Sequence, residues 1–172
     1  GVMGLLMTST PLAMAGHGFP FDDAATVISL HIVGMFAPSF FTGNLIAKFG
    51  ALQIVLVGIL INIICVGVDL SGIHFMNFST GLFLLGVGWN FMFIGATTLL
   101  TEVHTTSERA KVQGFNDFLI FGTITVAAVS SGNLLHFFGW DVVNYGVLPL
   151  LCLVLILVLW LVRFERRQRA AA

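Results

Sequence analysis

The sequence predicts an all-α integral membrane protein, built as a bundle of six transmembrane helices. Composition, apolar runs and the positions of the basic residues each lead to this fold class. Of 172 residues, 58% are hydrophobic and 9% are charged, whereas an average soluble domain has about 25% charged residues. Seven Lys or Arg and eight Asp or Glu cannot cover the surface of a soluble domain of this length. A soluble enzyme, a nucleic-acid-binding domain and a disordered segment are therefore excluded.

Six apolar runs define the predicted spans, since a helix needs about 20 mostly apolar residues to cross a bilayer. The runs occupy residues 2–16, 25–47, 51–68, 78–100, 112–135 and 142–162. The first run is short for a complete span, and the second and fifth are more polar than the others. The backbone finds no water to bond within hydrocarbon, so each run is predicted to be helical. The short connections leave one transmembrane domain over residues 1–172.

The basic residues test this six-span arrangement independently of hydropathy. All seven fall after the second or fourth span or in the tail 163–172: Lys48, Arg109, Lys111, Arg163, Arg166, Arg167 and Arg169. The intervening connections lack Lys and Arg and contain four aspartates: Asp22, Asp23, Asp69 and Asp141. Because Lys and Arg accumulate in cytoplasmic loops, both termini and the basic tail are predicted to be cytoplasmic. A five-span or seven-span chain would scatter these residues over both sides.

The chain begins with Gly1 and enters an apolar run at once. No basic residue precedes that run, as one would in a signal peptide, and no hydrophilic mature domain follows it. We therefore expect the chain to be a piece of a longer protein whose first helix is truncated.

No cofactor and no metal site is predicted. Cys65 and Cys152 lie in apolar runs and suggest neither a disulfide framework nor a metal cluster. The sequence contains no phosphate-binding glycine loop, nucleophile elbow or His-Glu-x-x-His motif. Two histidines at a suitable interval on one helix would suggest haem, but glycines and a proline between His17 and His31 interrupt any continuous helix.

Two short connections on the predicted cytoplasmic side contain glycines and charged residues at defined spacing. The first reads TGNLIAKFGALQ over residues 42–53, and its motif residues are Gly43, Leu45, Lys48 and Gly50. The second reads TEVHTTSERAKVQGFNDF over residues 101–118, where Ser107 is suited to cap a helix. Its motif residues are Glu108, Arg109, Lys111 and Gly114.

These connections resemble loops of the major facilitator superfamily of secondary transporters. The family's loop after the second helix of each half reads approximately G-x-L-A-D-R/K-x-G-R/K, and here Ala47 and Ala51 replace its acidic and second basic residues. The segments GWNFMFIGATTLLTE and GFNDFLIFGT are similar to the carboxy-terminal six-helix half of bacterial members. The resemblance covers essentially the whole chain.

The resemblance implies one half of a transporter that moves a small solute by alternating access, as symport or antiport, with coupling to protons expected. Its implied partners are the solute, the lipid of the bacterial inner (plasma) membrane and a missing amino-terminal six-helix half of the same polypeptide. Neither enzyme activity nor a nucleic-acid partner is expected.

His31 is the first candidate for substrate binding or proton coupling, because an ionisable residue within a span is costly and marks a functional site by default. It shares a helical face with Met35, Pro38 and Thr42. Histidine exchanges a proton near neutral pH, which suits proton-coupled transport. The alternative is a neutral histidine that bonds to a neighbouring helix.

Asn116, Asp117 and Thr123 are candidates early in the fifth span. Asn116, Thr123 and Ser130 repeat every seven residues, so their side chains form a polar stripe that would line a cavity or pack against another helix. Asp117 would bind a coupling proton, hold a gate through Arg109 or Lys111, or pair structurally at the interface.

Trp89 and Asn90 are candidates in the middle of the fourth span. A tryptophan can stack on an organic solute while an asparagine bonds to it. Equally, Trp89 would pack on Gly86 and Gly88 while Asn90 bonds across helices.

Two alternatives to half a transporter remain open at this stage. One is a complete small membrane subunit that associates into a channel or complex. The other is a haem-bearing membrane oxidoreductase whose histidine ligands come from separate helices.

Overall fold

A computed structural model describes residues 1–102 and 108–171 of the chain. All regular secondary structure in these two ranges is helical. The six helices are α1 (Val2–Gly16), α2 (Phe21–Phe36), α3 (Ser39–Phe49), α4 (Ala51–Leu70), α5 (Phe75–Glu102) and α6 (Arg109–Ala171).

Four helical stretches of the described residues are long and apolar enough to cross a membrane. They are Phe21–Phe49, Ala51–Leu70, Phe75–Thr101 and Arg109–Phe164, and α1 is a shorter apolar helix. Large apolar side chains such as Phe40 and Val129 point away from the protein interior. This pattern is typical of a helical bundle whose solvent is lipid rather than water.

The predicted span 25–47 is not one continuous helix. α2 ends at Phe36 and α3 begins at Ser39, with Ala37 and Pro38 between them. Proline lacks the N–H that would continue the helical hydrogen bonds, and its ring clashes with the preceding turn. The predicted span lies within the apolar stretch Phe21–Phe49, and Pro38 interrupts its helix as expected for a proline inside a span.

α6 is folded back on itself at Gly139. At 1.5 Å per residue a straight helix of this length would be about 95 Å long, about three times the thickness of a bilayer core. Gly139 has φ 79° and ψ 173°, which interrupts the helix and which glycine adopts without steric cost. Leu119 on one side of this residue and Val154 on the other line a common cavity. The predicted spans 112–135 and 142–162 therefore lie side by side, and the connection between them is helical except at Gly139.

Glycines allow α5 to pack closely against two helices. Gly86 of α5 meets α2, where an added Cβ would lie 2.5 Å from the main-chain oxygen of His31 and 2.9 Å from the nitrogen of Met35. Gly88 of α5 meets α4, where an added Cβ would lie 2.9 Å from the main-chain oxygen of Gly58. In lipid, such close backbone contacts replace the hydrophobic effect as a source of helix association.

One end of the bundle is closed by aromatic side chains, and we call it the aromatic end. Phe78 at the start of α5 is buried and contacts the rings of Phe19 at 5.8 Å, Trp140 at 5.4 Å and His17 at 6.3 Å between centroids. Trp140 Nε1 also donates a hydrogen bond of 3.2 Å to the main-chain oxygen of Asp69. These contacts join α1, α4, α5 and the fold-back of α6.

Candidate functional site

A cavity of about 440 Å³ lies between α1, α4, α5 and both parts of α6. Its volume is within the range typical of sites for small organic ligands. Most of its lining is apolar, with three side chains that can stack on or bond to a solute: Asn62, Trp89 and Thr123. Two of these, Trp89 and Thr123, are sequence-predicted candidates that the fold brings together from different helices.

Trp89 contributes a flat aromatic surface to the cavity. Its ring stacks on Phe93, one turn further along α5, with centroids 4.7 Å apart and planes at 12°. Gly86 and Gly88, the expected packing partners of Trp89, instead face α2 and α4. The indole is partly exposed and lines the cavity, which favours the ligand-stacking interpretation.

Asn62 is a polar cavity residue that the sequence analysis missed. Its side chain is 4% exposed, and its Nδ2 donates to Met92 Sδ at 3.2 Å. Its Oδ1 has no hydrogen-bond partner among the described residues. Gly88 opposite leaves room for the amide, since an added Cβ there would lie 2.5 Å from that oxygen. The available signal was an amide near the middle of the very apolar run 51–68, whose other amide, Gln53, lies at its start.

Thr123 lies in the cavity, but the rest of its predicted polar stripe does not line it. Thr123 Oγ1 donates to the main-chain oxygen of Leu119 at 2.6 Å and can still accept a hydrogen bond. Asn116 and Asp117 are partly exposed on the first turns of α6. No hydrogen bond or ion pair links Asp117 to Arg109 or Lys111 within the described part of the chain.

Asn90 faces away from the cavity and joins α5 to the break between α2 and α3. Its Nδ2 donates to the main-chain oxygen of Met35 at 2.7 Å and to Ser39 Oγ at 2.6 Å. Its Oδ1 accepts a hydrogen bond of 2.8 Å from Thr42 Oγ1. The side chain is buried and its bonding capacity is largely used within the protein, which favours the interhelical interpretation.

His31 lies between α2 and α5, outside the cavity lining. Its side chain is fully buried, and Nδ1 donates to the main-chain oxygen of Leu82 at 2.7 Å. A carbonyl oxygen only accepts, so Nδ1 carries a hydrogen and Nε2 is the nitrogen that gains or loses a proton. Nε2 has no partner among the described residues. The expected bond to a neighbouring helix is thus present, together with one free ring nitrogen.

The motif residues of the first predicted cytoplasmic connection surround the sharp junction between α3 and α4. Gly50 has φ 90°, a conformation that favours glycine. Lys48 Nζ lies 5.2 Å from the ring centroid of Phe49. Gly43 and Leu45 lie on α3.

The motif residues of the second connection lie where α6 begins. Glu108 immediately precedes the helix, and Arg109, Lys111 and Gly114 belong to its first turns. The predicted cap Ser107 lies outside the described residues.

Cys65, Cys152 and His17 are described residues that bear on a disulfide or on a haem ligand. His17 Nδ1 lies 2.7 Å from the main-chain oxygen of Ala13 on its own helix. Cys65 is buried, Cys152 is exposed, and neither forms a disulfide. Among residues 1–102 and 108–171, no group of three or more His, Cys, Asp and Glu side chains could hold a metal ion.

The family of this chain follows from its match to a protein-family model. The model of the Major Facilitator Superfamily matches residues 1–172. The chain belongs to the major facilitator superfamily. The resemblance to this superfamily of membrane transporters is thereby confirmed.

Curated relatives of this superfamily chain include three bacterial proteins. The riboflavin transporter RfnT of Brucella anthropi is 46% identical over 155 residues, which are 90% of this chain and 39% of that protein. The uncharacterized MFS-type transporter YddS of Bacillus subtilis is 29% identical over 174 residues, 99% of this chain and 39% of that protein. YdeG, from the same bacterium, is 36% identical over 121 residues, 69% of this chain and 28% of that protein. No solved structure matches the chain. The chain thus spans about two fifths of the length of the first two relatives.

Proposed function

We propose that this chain is the carboxy-terminal six-helix half of a proton-coupled transporter for riboflavin or a closely related flavin. The six spans are α1, the broken helix α2–α3, α4, α5 and the two antiparallel parts of α6. The coverage of about two fifths of RfnT and of YddS supports the view that another helical half belongs to the same polypeptide. Two such halves enclose the solute pathway in this superfamily and rock against each other.

The proposed orientation places both termini in the cytoplasm. The basic residues belong to one side of a six-span chain. Among them are Lys48 at the α3–α4 junction, Arg109 and Lys111 at the start of α6, and Arg163 and Arg167 near its end. The aromatic end then faces the extracytoplasmic side. The positive-inside rule supports this orientation.

The cavity lined by Trp89 and by Asn62, whose buried amide oxygen has no hydrogen-bond partner among the described residues, is the observation that carries the substrate proposal. Riboflavin has a flat three-ring system with an imide N–H on one edge. An indole face suits the ring system, and an amide oxygen suits the imide N–H. The similarity to RfnT supports the choice of a flavin among flat solutes.

Proton coupling is proposed to involve the ionisable groups within the spans. His31 Nε2 is buried without a partner, and Asp117 lies near the proposed cytoplasmic entrance. The loop motif at Gly50 would adjust helix-end contacts as the cytoplasmic side opens and closes.

The test uses the full-length protein in proteoliposomes with radiolabelled riboflavin. We expect saturable riboflavin uptake that an inward proton gradient accelerates, and none from residues 1–172 alone, because one half supplies only one wall of the pathway. Uptake that a proton ionophore does not change would contradict coupling. Lack of riboflavin uptake, with transport of a chemically unrelated solute in a screen, would contradict the substrate.

A modified substrate tests Asn62 directly. N3-methylriboflavin lacks the imide hydrogen, so the wild-type protein should transport it with a KM about tenfold higher than that of riboflavin, the loss of roughly one hydrogen bond. Asn62→Ala should abolish this discrimination, whereas Asn44→Ala on the exposed face of α3 should retain it. If the wild type and Asn62→Ala discriminate equally between riboflavin and N3-methylriboflavin, the imide N–H does not bind to Asn62.

A further inference from the structure

Asp69 is a buried carboxylate that the proposed function does not use. The apolar run 51–68 predicts Asp69 in the connection that follows, on the same side of the membrane as the connections that contain Asp22, Asp23 and Asp141. The structure extends α4 to Leu70, so Asp69 belongs to the last turn of the helix and its side chain faces the bundle. Only 3% of the residue is exposed, whereas Asp22 and Asp141 are exposed.

A glycine on the neighbouring helix makes room for this carboxylate. A Cβ at Gly81 of α5 would overlap Asp69 Oδ1 and lie 2.8 Å from its Cγ. On α4 itself, the Cys65 thiol donates to Oδ2 at 3.6 Å, a weak bond. The indole of Trp140 donates its hydrogen bond to the main-chain oxygen of Asp69 and not to the carboxylate. No cation pairs with Asp69 among the residues that the structure describes.

Two features of this position oppose a negative charge, and a third concerns its structural role. The side chain is buried without a cation, which is costly for an ionised carboxylate. It lies in the last turn of α4, where the helix dipole disfavours negative charge. Cys65 is its one side-chain hydrogen-bond partner in the described chain, so the carboxylate does not join helices together. A hydrogen bond between helices therefore does not account for this aspartate, and reversible protonation offers an account.

We propose that Asp69 is a proton-binding residue of the transport cycle at the aromatic end. Binding of one H⁺ from the water on that side converts its carboxylate to a neutral carboxylic acid, and release of the same H⁺ restores the charge. The neutral form allows that end both to close by packing against Gly81 and to open, whereas the charged form holds it open to water until H⁺ binds. The inference rests on the proposed proton coupling and adds a residue to it.

Few other ionisable groups surround Asp69. Cys65 faces it from α4, and α5 contains no ionisable residue except Glu102 at its far end. From the other elements at the aromatic end, the ionisable residues are His17, Asp22, His74, His136 and Asp141, which are exposed, and Asp23, which is partly exposed. A pH response of uptake that is lost when the carboxylate of Asp69 is removed can therefore be distinguished from a response of the exposed histidines, which that substitution leaves in place.

The experiment compares Asp69→Asn with Asp22→Asn in the full-length protein, reconstituted and supplied with riboflavin. We expect Asp69→Asn to retain riboflavin counterflow within about twofold and to lose at least tenfold in proton-driven accumulation, because exchange needs no net proton movement. Asp22→Asn should resemble the wild type in both assays. Equal accumulation and an equal pH profile in Asp69→Asn and the wild type would overturn the inference. Parallel loss of counterflow and accumulation in a folded Asp69→Asn would overturn it too.

A measurement on the wild type covers the case in which Asp69→Asn fails to fold. Dicyclohexylcarbodiimide reacts with protonated carboxyl groups in apolar surroundings, and peptide mapping locates the label. We expect labelling of Asp69 that falls as the pH rises, with Asp22 unlabelled as an internal control. Absence of label on Asp69 at every pH, or labelling that ignores pH, would overturn the inference. Wild-type uptake that ignores the proton gradient would instead refute the proposed function itself.

Discussion

The side-chain amide of Asn90 donates a 2.7 Å hydrogen bond to the main-chain oxygen of Met35. Met35 lies in the last turn of α2, directly before the break that Pro38 imposes. A broken helix in lipid exposes backbone groups that neighbouring helices must satisfy. Asn90 does so from α5 while also bonding Ser39 and Thr42 on the other side of the break. One side chain thus stabilises both parts of the second span.

Asn90→Ala should destabilise the protein, because it leaves the Met35 oxygen and the buried hydroxyl of Thr42 without this partner. We expect a loss of about 1–3 kcal/mol in the free energy of unfolding, the range for a few hydrogen bonds between membrane helices. Thermal unfolding of the full-length protein in detergent measures it. Asn44→Ala, on the exposed surface of α3, is the control and should leave the unfolding midpoint unchanged. Equal midpoints for both variants would contradict a stabilising role.

The contact between α2 and α5 should tolerate no side chain at Gly86. An added Cβ would lie 2.5 Å from the main-chain oxygen of His31, and backbone atoms cannot move aside as a flexible side chain can. Gly86→Ala is expected to lower the free energy of unfolding by about 1–3 kcal/mol through overpacking. Gly67→Ala on α4 is the matched control, because no atom lies within 4 Å of its added Cβ. Similar unfolding midpoints for the two variants would contradict this close packing.

Hydropathy and sterics explain how much of the fold could be predicted. Lipid excludes unpaired backbone groups, so apolar length alone indicates where helices form. Pro38 accounts for the break in the second span, because proline cannot continue the helical hydrogen bonds. The reversal at Gly139 follows from a backbone conformation that glycine permits but does not require.

The candidate site was less predictable, because it depends on how each helix is rotated. Trp89 and Asn90 are adjacent in sequence, yet successive residues point about 100° apart on a helix, so only Trp89 reaches the cavity. α4 is apolar on almost all sides, so its sequence gives no indication of which helix Asn62 faces. Asp69 was assigned to a connection because helix ends are uncertain by one or two residues. Tertiary packing decides all three cases.

Trp89→Ala should weaken riboflavin binding through the loss of a stacking surface. Stacking of a flat heterocycle on an aromatic side chain is worth about 1–3 kcal/mol, so we expect KM for uptake to rise about tenfold or more. Trp89→Phe should show a smaller rise. Trp160→Ala, which removes an exposed tryptophan stacked on Phe164, is the control and should leave KM unchanged. An unchanged KM in Trp89→Ala would remove this side chain from the site.

Two substitutions at His31 distinguish its hydrogen bond to Leu82 from its capacity to bind a proton. Glutamine can still donate to the oxygen of Leu82 but cannot bind a proton, whereas alanine does neither. His31→Gln should fold normally and lose the pH dependence of uptake between about pH 5.5 and 8, around the reference pKa of histidine. His31→Ala should weaken proton-coupled uptake and remain expressed. His74→Gln, at an exposed position, is the control. A wild-type pH profile in both His31 variants would remove this residue from coupling.

The clash expected between a side chain added at position 81 and the carboxylate of Asp69 can be measured as a coupling energy between the two positions. Gly81→Ala should destabilise the protein, because its Cβ would displace the buried carboxylate. In an Asp69→Ala background that carboxylate is absent, so adding Gly81→Ala should cost little. The double-variant cycle should therefore give an interaction of about 1–3 kcal/mol between the two positions, measured by unfolding in detergent. The control cycle combines Asp69→Ala with Gly67→Ala, whose effects should be additive. Additivity in the first cycle would mean that Gly81 does not make room for Asp69.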